Sequence, residues 1–112
     1  MKLPIIADNR GDVLVFNSIN SAECYLEPID VRNGEYEVFD SNGALIKATV
    51  WQDPNGIDRT KLIHDQDETT PPDAAKLREK LISYLAEVGE CLPEDVSLGE
   101  MIAKVSAYSG VE

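Results

Sequence analysis

An α+β domain is predicted for this chain of 112 residues on three observations. Turns of the form Asp-x-x-Gly recur at Asp8-Asn9-Arg10-Gly11, Asp40-Ser41-Asn42-Gly43 and Asp53-Pro54-Asn55-Gly56. Short β-branched and aliphatic runs flank each turn, as paired strands require. Beyond residue 72 the apolar period lengthens from two to that of a helix. The expected architecture is an antiparallel, largely meandering sheet of about five strands with a short inserted helix, and a C-terminal helical hairpin packed on one face. One domain spans 1–112: 1–64 mainly β with one short helix, 65–72 an acidic linker, and 73–110 two helices.

Leu3 to Ala7 and Val13 to Phe16 make the first hairpin. Pro4 has no amide proton to give a ladder, which puts the first strand at an edge or makes Pro4 its first residue. Ser18 or Asn17 can cap a short helix, with Asn20 and Glu23 as an alternative capping pair; Ile19, Ala22, Tyr25 and Leu26 share its apolar face. Pro28 ends it, because a residue before proline is driven out of helical geometry. Ile29 and Val31 read as a short strand before the Asn33-Gly34 turn.

From Glu35 the period is two. A three-residue loop with Gly43 left-handed pairs Phe39 with Leu45, Val38 with Ile46, Glu37 with Lys47 and Tyr36 with Ala48. This register joins opposite charges and gathers Tyr36, Val38, Ile46, Ala48 and Val50 on one face. The same loop length at the third turn sets Trp51 opposite Arg59, Val50 opposite Thr60 and Ala48 opposite Leu62. Trp51 then shares the other face with Lys47, Thr49, Arg59 and Lys61, where a half-exposed indole beside a guanidinium is a candidate partner anchor. The plainer reading is that these rings and aliphatic stems cover one another, or that a helix packs there.

Asp65-Gln66-Asp67-Glu68 reads as a solvated linker. Thr70, Pro71 and Asp73 signal a helix start. Leu77, Leu81, Leu85 and Val88 form its stripe, with Ala74 and Tyr84 beside it, and Gly89 stops it. Ser97 and Glu100 make a second capping box before Leu98, Met101, Ile102, Val105 and Tyr108.

Composition narrows function. Ten Lys and Arg against 21 Asp and Glu give a net charge of −11, a field that repels nucleic acid and anionic membrane and favours a basic partner. Acidity also simply keeps a protein soluble. With no signal peptide and no apolar run of membrane length, Cys24 and Cys91 read as reduced cytoplasmic thiols. An exposed edge strand permits a homodimer and equally a monomer.

No catalytic residue is assigned and the chain is not read as an enzyme: His64 is the one histidine, neither thiol has an activating neighbour in sequence, and no phosphate loop or nucleophile elbow occurs. No metal site or cofactor is predicted either, because no Asp-x-Asp-x-Asp-Gly loop with a distal Glu exists and each turn Asp is accounted for by its turn.

Val15-Phe16-Asn17-Ser18, Ala22 to Val31, Gly34-Glu35-Tyr36 and Asp40 to Leu45 carry a resemblance to a group of short bacterial proteins, some of which resemble immunity proteins of polymorphic toxin systems. The resemblance covers the first half and transfers no functional residue. It implies an acidic protein-binding module that neutralises a basic toxin. The competing reading is an adaptor or regulatory accessory subunit that takes a peptide strand, for example along Leu3 to Ala7. In either case Trp51 and Tyr36 are the candidate anchors, and Glu23, Glu27, Asp30, Glu35 and Glu37 the candidate acids, grouped by their proximity in sequence.

Overall fold

A computed structural model describes residues 2–64, 74–90, 92 and 95–109. Its five strands are β1 (Ile5–Asn9), β2 (Asp12–Phe16), β3 (Glu37–Phe39), β4 (Leu45–Gln52) and β5 (Asp58–His64). Four helices accompany them: α1 (Ile19–Tyr25), α2 (Pro28–Arg32), α3 (Ala74–Glu87) and α4 (Leu98–Ser109). The strands form one antiparallel sheet in the order β2-β1-β3-β4-β5.

The three Asp-x-x-Gly turns set the registers. Asp8 Oδ1 accepts the Gly11 amide at 3.0 Å. Asp40 Oδ1 accepts those of Asn42 and Ala44, and Asp53 Oδ1 those of Asn55 and Ile57, all at 2.9–3.0 Å. The second and third turns are three-residue loops, so Phe39 faces Leu45 and Trp51 faces Arg59, as expected. The first is tighter: Asn9 pairs with Asp12, and Arg10 and Gly11 both take positive φ, 52° and 96°. That is the geometry of a primed two-residue hairpin turn, whose twist matches the strands it joins.

Several expectations are corrected. β1 is not an edge strand; Pro4 precedes it, so every amide from Ile5 onward is free to pair, and β1 lies between β2 and β3. Ile29 and Val31 belong to a helix. Glu27 is held extended (φ −71°, ψ 136°) by the proline that follows, and Pro28 then occupies the first turn of α2, where its fixed φ and missing amide cost nothing. One proline thus ends α1 and begins α2. Tyr36 lies before β3, and Glu37 bonds to lysines of α3 instead of Lys47.

Both sheet faces are covered at one end. Ile6, Val13, Val15 and Phe39 pack against Leu77, Leu81, Tyr84 and Leu85 of α3 and Met101, Ile102 and Val105 of α4. On the opposite face Ile5, Ala7, Phe16, Val38, Ile46 and Leu62 pack against Ala22 and Leu26. Val88 and Tyr108, expected in the helical stripes, are exposed; the Tyr108 hydroxyl donates to Glu90. Ser18 caps α1 by accepting the Ser21 amide, and Ser97 accepts the Glu100 amide at the start of α4. Gly89, at φ 85°, closes α3: its amide bonds to Ala86 O and that of Glu90 to Leu85 O, the paired pattern of a left-handed helix stop. The helix-start signal at 70–73, the acidic linker and Cys91 lie outside the described residues. Among the described residues no helix is long and apolar enough to cross a membrane.

Candidate functional site

A cleft of about 470 Å³ lies where α1 meets the β4–β5 hairpin. Asn20, Glu23 and Cys24 of α1 form one wall, Leu26, Glu27 and Pro28 the corner between the two short helices, and Trp51, Arg59 and Lys61 of the hairpin the other wall. Helical spacing explains the first wall, since positions 20, 23 and 24 fall on one side of α1 while Ala22 and, just past its end, Leu26 turn into the core. Strand alternation explains the other: Leu62 is buried, and Lys61 and Arg59 point the opposite way.

Two long-range hydrogen bonds fasten the walls together. Glu23 Oε2 accepts the backbone amide of Leu62 at 2.8 Å. The Thr60 hydroxyl donates to Leu26 O at 2.7 Å in a buried position. At the rim Arg32 of α2 pairs with Asp58 at 2.7 Å. α1 therefore lies along the outer edge of β5, where Thr60 and Leu62 are buried. At the other sheet edge, Val13 and Val15 of β2 are each 1% exposed and pack against α4. The strand-accepting edge expected at Leu3 to Ala7 does not exist, because β1 is paired on one side with β2 and on the other with β3.

The candidate residues fall into three places. Trp51, 46% exposed, faces Glu23 and Glu27 in the cleft. Its expected neighbour Arg59 is in register, but the guanidinium turns to Asp53 Oδ2 at 2.7 Å. Asp53 is held below the usual carboxylate range first by that guanidinium and then by the Ile57 amide.

Asp30, Glu35 and Tyr36 make a second cluster beyond α2. A hydrogen bond to the Asp30 carboxyl, with some desolvation and the charge of Asp30, pushes Glu35 above the usual range; Arg10, 3.5 Å away, opposes this. The Tyr36 hydroxyl reaches toward Asp30 at 3.5 Å, and burial, then the Asp30 charge, raises its pKa.

Glu37 is in the third place. Its carboxylate pairs with Lys76 at 2.7 Å and Lys80 at 3.0 Å, and Lys80 also reaches Asp8 at 2.8 Å. The Lys76 hydrogen bond, more than that of Lys80, holds Glu37 low. This network ties α3 to the ends of β1 and β3, so Glu37 serves the fold.

Cys24 is an exposed thiol on the α1 wall. Among the described residues no group of three or more His, Cys, Asp or Glu is arranged to hold a metal. Sequence reasoning missed Glu23 as the partner of a strand amide and Thr60 as part of the cleft; no local pattern announces contacts across 34 and 39 residues. No known protein family, curated protein or solved structure matches the chain.

Proposed function

We propose that this chain is an acidic protein-binding module whose cleft between α1 and β5 receives a basic segment of a partner protein, and that the partner is a toxin which it neutralises. One observation carries the reading: two carboxylates, Glu23 and Glu27, face the half-exposed indole of Trp51 across a single cleft. An arginine or lysine entering between them meets two carboxylates on one wall and the indole on the other, where Arg59 is already paired with Asp53 and Lys61 lies beside it; carboxylate and aromatic face are the two features that hold a desolvated cation. The net charge of −11 adds long-range steering toward a basic surface.

Affinity capture from the native cell identifies the partner, and kinetics with the purified pair test the site. Trp51→Ala is expected to weaken binding by about thirtyfold or more, the loss of a hot-spot aromatic. Glu27→Lys is expected to slow association, and raising the salt to slow it further. An association rate that is the same at low and high salt overturns the electrostatic reading. The toxin assignment has its own test: co-expression of the chain restores growth to cells making the captured partner. A partner that is harmless when expressed alone replaces toxin with a regulated protein.

A further inference from the structure

The α3–α4 hairpin covers the β2-β1-β3 end of its sheet face and reaches Leu45; among the described residues no helix packs on the continuation of that face over β4 and β5. Alternation from Leu45 brings Lys47, Thr49 and Trp51 onto this face, and the register sets Ile63, Lys61 and Arg59 directly opposite them. Each cross-strand pair therefore joins one cation to one uncharged side chain. No acid occupies any of these positions, although acids outnumber bases 21 to 10 in the chain. All but Thr49 are exposed, Trp51 at 46% and Ile63 at 39%. Arg59 is paired with Asp53; Lys47 and Lys61 have no ion-pair partner among the described residues.

We propose that this face is a docking surface for an extended acidic segment of a partner protein; it shares Trp51, Arg59 and Lys61 with one wall of the cleft, and Lys47, Thr49 and Ile63 carry it beyond that wall. The argument is charge complementarity at matching spacing. Alternate residues along a strand are about 6.8 Å apart and neighbouring strands about 4.8 Å. The three cations thus lie within roughly two Debye lengths of one another, and acidic side chains at alternate positions of an extended segment repeat at the same interval. Trp51 and Ile63 supply the apolar contact, and the cations set register. A symmetric pairing of this face with a second copy sets cation against cation, which disfavours it. Three cations on a chain of net charge −11 fall short of the basic footprint that a nucleic acid needs.

The test is a titration of the ¹⁵N-labelled chain with an extended peptide of alternating Glu and Val, with a matching Lys-Val peptide and a single-stranded oligothymidylate as comparisons. The acidic peptide is expected to shift amides of 47–51 and 59–63, and its affinity to fall as salt is raised. Lys47→Glu with Lys61→Glu is expected to weaken it at least tenfold while retaining a folded spectrum. Lys2→Glu with Lys104→Glu, the same charge change away from this face, is expected to alter it less than twofold. Absence of shifts on this face at the highest peptide concentration, an equal loss in both double variants, or tighter binding of the oligothymidylate overturns the proposal.

Discussion

The carboxylate of Glu23 accepts the backbone amide of Leu62 at 2.8 Å, so a side chain from α1 occupies a hydrogen-bonding position on the outer edge of β5. An open strand edge is a template for pairing with another chain, and this acid removes part of the template. Glu23→Ala is expected to destabilise the domain by about 1.5–3 kcal/mol, the range for a hydrogen bond to a charged group. Glu23→Gln keeps a neutral acceptor and is expected to lose about half as much. Denaturant unfolding measures both. Sedimentation is expected to show concentration-dependent self-association for Glu23→Ala alone.

The first hairpin carries a local conflict. Arg10 is held at φ 52°, where a Cβ crowds its own backbone, while its side chain gains only a 3.5 Å pair with Glu35 at 77% exposure. Asn-Gly is the dipeptide this turn prefers. Arg10→Asn is expected to raise stability by about 0.5–1 kcal/mol, or roughly 2–5 °C in Tm. Calorimetry checks it, and an unchanged or lower Tm refutes the account of the turn.

Which parts of this molecule were legible in sequence follows from how far each determinant reaches along the chain. Trp51 opposite Arg59 and Val38 opposite Ile46 could be read because loop length and alternation are local. Both helix caps at Ser18 and Ser97 are local too. α2 was hidden because Ile29 and Val31 are β-branched, and the role of Pro28 as a helix starter has the same spelling as its role as a stop. The interior place of β1 was hidden because only the pairing with β3, set by packing, reveals it. At the site, Trp51 was recognisable as an exposed indole on the face opposite the apolar one. That Glu23 and Glu27 join it while Asp30, Glu35 and Glu37 go elsewhere depends on how α1 docks along β5, and on lysines in α3 more than 35 residues downstream.

The Asp30–Glu35 pair makes a pH prediction. A carboxyl whose folded pKa is raised binds its proton more tightly in the native state than in the unfolded chain, so native stability falls as pH rises from the unfolded value near 4.5 through the folded one. The penalty is complete above the folded pKa and absent well below 4.5. Glu35→Gln removes the charge and is expected to raise Tm at pH 7, with the two melting curves merging by about pH 4. Because Arg10 opposes the shift, Arg10→Asn is expected to enlarge the gain from Glu35→Gln. Additive behaviour of the two substitutions at pH 7 contradicts the coupling.

Glu37 has the opposite sign. Its pKa is lowered, so its contribution is present above the unfolded value near 4.5 and is lost as pH falls through the folded one. The side chain is 42% exposed, which limits the stabilisation from its two lysines to about 0.5–1 kcal/mol. Lys80 is more enclosed, at 22%, and it also neutralises Asp8, whose side chain is only 10% exposed. Burial alone lowers the Lys80 pKa, yet the two carboxylates outweigh it and the net shift is upward. Lys80→Met therefore leaves a nearly buried carboxylate without its cation and is expected to cost about 1–2 kcal/mol, more than Glu37→Gln. Urea titrations across pH 3–7 separate the two: the deficit of Glu37→Gln should vanish as the pH drops below its folded pKa. An equal cost for both variants at pH 7 contradicts the ranking by burial, and a Glu37→Gln deficit that does not shrink as the pH falls contradicts the ion-pair origin.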